Sequence, residues 1–219
     1  MIIWALWKNR NESVWNGIIQ SPTHIVNFAS STMIQWEAAQ KAELKDWRIK
    51  PGDGAIAWNK PKHDAIKCNV DGAIFAQKGL IGFGCVVHDG QGIFRAAKQG
   101  IMPGLDNAML AEAITIREAL SWIKEKFTNA AVVLESDSLG VIQAIRGLIS
   151  DNTYVQSVIN DCLKLLEDLP MVSCVFVRRS ANRVAHALAK ASGSLSDFIT
   201  WEGHPPQFIC NLLEQDLMI

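Results

Sequence analysis

Three carboxylates, Asp71, Glu112 and Asp137, stand where separate elements of one domain could bring them together. Asp71 ends an alternating run in which Ile66, Cys68 and Val70 share one face and Lys67, Asn69 and Asp71 the other, the period of a strand. Gly72 follows at once, so the backbone can turn there and a ligand can come close. Asp137 closes the mostly apolar run from Ala130, the mark of a strand buried on both faces. Glu112 lies in the first turns of a helix that Asp106 or Asn107 can cap. Singly, each acid reads as a structural or solvated carboxylate. Clustered, the three repel one another unless a cation sits among them. Hard oxygen donors select magnesium or manganese. Two such ions about 4 Å apart would activate a water and stabilise the leaving oxygen in phosphodiester hydrolysis.

The elements that must position these acids can be read from pattern. After the Asp71 strand, Gln77-Lys78-Gly79 reads as a turn, Gly82–His88 as a second strand, Asp89-Gly90 as a hairpin turn and Gly92–Ile101 as a third strand. Met109, Ala113, Ile116, Leu120, Ile123 and Phe127 form one buried helical stripe, with Glu112 at its edge. The Asp137 strand is followed by helices over Ser138–Leu148 and Thr153–Leu169, a strand Val172–Val177, and a last helix Ala181–Ser192 capped by Ser180. A meander followed by crossovers predicts an α/β domain, a mixed sheet covered by helices. With the first and fourth strands as parallel neighbours, Asp71 and Asp137 leave the same sheet edge, where ligands bind in such folds.

The flanks carry less. Residues 2–19 predict a helix broken by Ser21-Pro22, and Ser31–Asp46 a second one bearing Trp36 and Leu44. Pro51-Gly52, Gly54 and Pro61 mark 47–64 as a linker. The expected division is a helical N-terminal extension and linker over 1–60, the main domain over 61–195 and a C-terminal tail over 196–219. The chain has 219 residues, 49% of them hydrophobic, enough for a sizeable core. A net charge of −1 excludes a global pull toward nucleic acid, so any such binding rests on a local patch. The five cysteines lack paired spacing, which points to buried thiols of an intracellular protein, with neither a disulfide frame nor a zinc site. The start lacks a basic leader and a cleavage site, and no apolar run is long enough to span a membrane. Nucleus and cytoplasm are equally open, and a monomer is expected.

Four pieces in this order and spacing are specific together: Lys67-Cys-Asn-Val-Asp-Gly-Ala73, Ala111-Glu112-Ala113, Glu135-Ser-Asp-Ser138 and Ala181-Asn-Arg-Val-Ala-His-Ala-Leu-Ala189. The run from about 65 to 192 resembles a ribonuclease H type 1 domain, in the divergent version found in plant retroelement-derived, reverse-transcriptase-like proteins. Trp7-Lys-Asn-Arg-Asn11 and Trp58-Asn-Lys-Pro61 resemble the flanks of such proteins. The resemblance implies a five-stranded sheet of order 3-2-1-4-5 and hydrolysis of the RNA strand of RNA–DNA hybrids. It carries Asp71, Glu112 and Asp137 over as catalytic metal ligands for magnesium or manganese, two ions being expected. With no polymerase segment ahead of the domain, a detached piece or stand-alone gene is expected.

Two departures stand out. The family's fourth acid falls where this chain has His186, expected here as a weaker fourth ligand and catalytic residue, the alternative being a plain surface histidine. The loop before the last helix, Val175–Ser180, lacks the mobile histidine of well-studied members. Nucleic-acid contacts are expected from Gly72, Asn107, Ser138, Arg178, Arg179, Asn182 and Arg183, with the arginines on phosphates or simply solvated. Three functions therefore stand: an active hybrid ribonuclease, a nucleic-acid-binding module with weakened catalysis, and a degenerate remnant.

Overall fold

The alternation that predicts the first strand is realised in β1 (Ala65–Phe75), whose two faces look into two different cores. Cys68 and Val70 point into the larger core, Asn69 and Asp71 to the other side. The computed structural model describes residues 2–17, 20–43, 53–62, 64–104, 106–149 and 154–217. It divides into two compact units, Met1–Lys50 and Pro51–Ile219.

In the larger unit β1 pairs antiparallel with β2 (Leu80–His88), and β2 antiparallel with β3 (Phe94–Pro103). On its other side β1 pairs in parallel with β4 (Ala131–Ser136), and β4 in parallel with β5 (Val172–Phe176). This is the expected mixed sheet in the expected order. The sheet then gains a sixth strand, β6 (Ile199–Glu202), antiparallel on the β3 edge. Residues 196–219, expected as a tail, thus supply β6 and a helix.

Helix α3 (Ala108–Lys126) covers one face with α4 (Leu139–Ile145) and α5 (Tyr154–Glu167). The α3 stripe buries Ala113, Ile116, Leu120 and Ile123 as predicted, with Met109 half-buried. Truncating a fully buried residue such as Leu120 to alanine would cost about 2–5 kcal/mol. The expected start of α5 at Thr153 lies outside the described residues. On the opposite face, α6 (Arg183–Ala191) and α7 (Gln207–Leu217) form a smaller core of Val86, Ala97, Val184, Leu188, Ile209 and Leu213.

Two glycines let helices lie directly on the strands. A Cβ on Gly84 would stand 2.4 Å from the Ala189 amide nitrogen and 2.6 Å from the Ala185 carbonyl oxygen of α6. One on Gly72 would stand 3.1 Å from Thr115 Oγ1 and 3.2 Å from the Ala111 carbonyl of α3. Glycine at these places sets how closely α6 and α3 approach the middle strands.

Part of the expected linker belongs to the domain. Residues 53–58 run beside β5: Gly54 N–H donates to the Phe176 carbonyl at 2.7 Å, Arg178 N–H to Ala55 at 2.8 Å, and Ala55 bridges Val177 in parallel. Asp53 receives both terminal nitrogens of Arg146, at 2.7 and 2.9 Å. Pro51 and Gly52 lie outside the described residues.

The smaller unit holds α1 (Ile2–Asn16) and α2 (Pro22–Glu43). Gly17 ends α1 with φ +67°. Ser21 Oγ accepts the His24 N–H at 3.2 Å, so Ser21-Pro22 starts α2 as cap and first residue, well before the expected start at Ser31. Leu44 and Asp46 lie outside the described residues. Among the described side chains of this unit, only Ala5 and Ala29 are buried. No helix among the described residues is long and apolar enough to cross a membrane.

Candidate active site

The parallel register of β1 and β4 pairs Asn69 with Glu135 and Val70 with Ser136, which carries Asp71 and Asp137 out side by side. Glu112 comes from the first turns of α3, whose cap is Asn107: its Oδ1 accepts the Leu110 N–H at 3.0 Å. Ligand oxygens of Asp71, Glu112 and Asp137 all lie within 4.8 Å of one another. Asp71 is buried, the other two partly so.

This crowding shifts the carboxyls strongly. Burial, then the charges of Glu112 and Asp137, push the Asp71 carboxyl up to about 9, with Arg179 working the other way. Burial, then Asp137, push Glu112 up to about 8, against hydrogen bonds from the Gly72 backbone and the Asp71 side chain. Glu112 Oε2 is buried without a hydrogen-bond partner. An all-oxygen set that holds protons in the absence of a cation, with one orphaned oxygen aimed into it, fits a hard divalent ion.

The structure brings His186 to this cluster. Its Nδ1 lies 2.6 Å from Asp71 Oδ2, and Arg179 Nη2 lies 2.9 Å from Nδ1 and 3.1 Å from Nε2. Burial, then the charges of Arg179 and Lys190, lower the His186 pKa, with Asp137 opposing. The cluster opens on to a groove of about 540 Å³ that Gly72, Phe75, Glu112, Arg179, His186 and Lys190 line.

The other expected contacts divide. Gly72 and Arg179 line the groove, and Arg178 is exposed next to Arg179. Asn107 is exposed and caps α3, while Ser138 is half-buried at the start of α4. Asn182 is 1% exposed and donates to the Val70 carbonyl at 2.8 Å, so it is an internal strut that no nucleic acid reaches. Arg183 is tied to α7, donating to Gln215 Oε1 at 2.9 Å and Asp216 Oδ1 at 2.7 Å.

A buried polar layer behind the acids escaped the sequence reading. Asn69 Nδ2 donates to Glu135 Oε2 at 2.9 Å and Asn182 Oδ1 at 3.2 Å, and Asn69 Oδ1 accepts the Trp58 indole N–H at 3.0 Å. Lys67 Nζ lies 2.6 Å from Glu135 Oε1. The signal available was positional: Lys67 and Asn69 share the Asp71 face, and Glu135 precedes Asp137 by one strand repeat.

With this geometry in place, the relatives agree with it. Residues 69–192 match the model of the family described as reverse transcriptase-like, a span that includes all three acids and His186. An Arabidopsis thaliana protein named for ribonuclease H is 26% identical over the whole chain, which spans 35% of that protein's length. The RNase H1 of Halobacterium salinarum superposes with a TM-score of 0.54 at 23% identity, over 58% of this chain and 96% of its own. LC11-RNase H1 in complex with an RNA/DNA hybrid gives 0.53 at 17% identity, over 58% and 95%. The foamy viral protease-reverse transcriptase, also in complex with an RNA/DNA hybrid, gives 0.51 at 16% identity, over 62% of this chain and 21% of its own. The chain belongs to the reverse transcriptase-like family and carries a ribonuclease H-like fold.

Proposed function

We propose that this protein hydrolyses the RNA strand of RNA–DNA hybrids at Asp71, Glu112 and Asp137, with magnesium or manganese. The observation that carries this reading is the convergence of three ligand oxygens within 4.8 Å, one of them, on Glu112, buried and orphaned. A divalent ion held there supplies an activated water and a counter-charge for the leaving oxygen. Asp71 is fixed by its strand and by the His186 ring, so its carboxylate meets a ligand already oriented. Glu112 is fixed by the close approach of α3 at Gly72. Arg179 and Lys190 line the groove beside these acids, where cationic side chains contact phosphates and set the register of a nucleic acid without reading its bases. Discrimination then follows helix geometry and the 2′-hydroxyls, with little dependence on base sequence. Two relatives above are known in complex with such hybrids.

A second reading, a hybrid-binding module with weakened catalysis, draws support from the Arg179–His186 pair standing where relatives have a fourth acid. A labelled hybrid incubated with the full chain in magnesium, then in manganese, separates the two. Cleavage confined to the RNA strand supports the hydrolase; salt-sensitive binding without cleavage in either metal supports the module.

A further inference from the structure

His186 has two ring nitrogens, and both are engaged. In a neutral imidazole one nitrogen donates and the other accepts. Nδ1 faces Asp71 Oδ2 at 2.6 Å, and Nε2 faces Arg179 Nη2 at 3.1 Å. A guanidinium only donates, so Nε2 must be the acceptor and Nδ1 must carry the hydrogen given to Asp71. Neither a protonated ring nor the other tautomer satisfies this pair, because each would set Nε2–H against the Arg179 N–H. The ring therefore has no lone pair left for a metal. Its position serves Asp71 on one side and Arg179 on the other.

Arg179 is consequently held against the cluster by a side chain from α6. Its charge acts on Asp71, on Glu112 and on His186 alike. It also lines the groove in which a phosphate would lie. Three carboxylates balance one divalent ion and one guanidinium; a second ion would leave the centre positive and crowd a fixed cation.

We propose that the centre takes a single divalent cation on Asp71, Glu112 and Asp137, and that the Arg179 guanidinium, held by His186, stands as the second positive charge facing the substrate phosphate. This rests on the hydrolase reading above and replaces the two ions expected from the sequence. His186 is then a positioning residue for Asp71 and Arg179, outside the ligand set.

The test is Mn2+ stoichiometry on the full chain, by titration calorimetry and by the electron paramagnetic resonance of unbound Mn2+. One ion per wild-type chain is expected, lost in Asp71→Asn. The double variant Arg179→Ala with His186→Asp, which removes the guanidinium and restores a carboxylate, is expected to take two. Two ions on the wild type, or one on a folded double variant, would overturn the single-ion inference and leave the hydrolase reading intact. Absence of any bound ion from the wild type would overturn the metal site itself, and both readings with it.

Discussion

Asn69 and Glu135 face each other on neighbouring parallel strands, joined at 2.9 Å, one strand repeat behind Asp71 and Asp137 respectively. The spacing of the two acids is thus set by a buried polar contact between their strands. Lys67 completes it: its ammonium lies 2.6 Å from Glu135 and donates to the Asn59 carbonyl at 2.5 Å, with both charged side chains less than a tenth exposed. Burial raises the Glu135 pKa and Lys67 opposes that shift. Lys67→Met leaves Glu135 buried without its counter-charge and is expected to cost about 3–5 kcal/mol in urea unfolding. Lys67→Met combined with Glu135→Leu is expected to cost clearly less. Equal losses in the two variants would remove the ion pair from this role.

Stability of the metal-free protein is expected to fall as pH rises. Asp71 and Glu112 hold protons more tightly in the fold, at about 9 and about 8, than in the unfolded chain at 3.8 and 4.5. Their favourable contribution is complete below the unfolded values and is lost as pH climbs through the folded ones. Thermal unfolding between pH 5 and 9 should show a decline that Asp71→Asn flattens. Magnesium should restore most of the loss at the upper end, since it binds the ionised acids. A profile unaffected by Asp71→Asn would contradict the clustering.

At the far end of β2, His88 behaves in the opposite sense. It is 2% exposed, 4.8 Å from the Trp58 ring, with Nδ1 unpartnered, and burial followed by Lys67 lowers its pKa from 6.5 to about 4. A depressed histidine stabilises the fold above its unfolded pKa, and that contribution is lost as pH falls from 6.5 toward 4. His88→Phe should keep the ring packing and soften acid unfolding over that window. An unchanged acid limb would exclude His88 as its source.

Much of the site was legible because each acid sits on a strongly patterned element. Period two along β1 put Asp71 on a face opposite Cys68 and Val70, and the apolar run of β4 delivered Asp137 to the same edge. The α3 stripe placed Glu112 correctly for the same reason. What was hidden depends on partners that pattern does not announce. Arg183 reads as a phosphate contact until α7 supplies Asp216, and α7 follows only four residues of edge strand. Asn182 looks like a surface amide until Asn69 and Val70 engage it. Residues 53–58 read as linker because Gly54 and Pro61 punctuate them, whereas their order comes from the β5 edge, Arg146 and the Trp58–Asn69 bond.

That strap is expected to matter energetically. Trp58 is 4% exposed, and Trp58→Ala removes both its packing and the indole donor to Asn69, so a loss of about 3–5 kcal/mol is expected by denaturant titration. Trp58→Phe, which keeps most of the ring, should lose less. If Trp58→Ala is neutral, residues 53–58 are dispensable for the fold.

The central claim is tested most directly by cutting a labelled RNA–DNA hybrid with the wild-type chain and with Asp71→Asn, prepared identically and shown to be equally folded. Divalent-metal-dependent cleavage of the RNA strand by the wild type, abolished in Asp71→Asn, is the predicted result. Equal cleavage by the two proteins would contradict it.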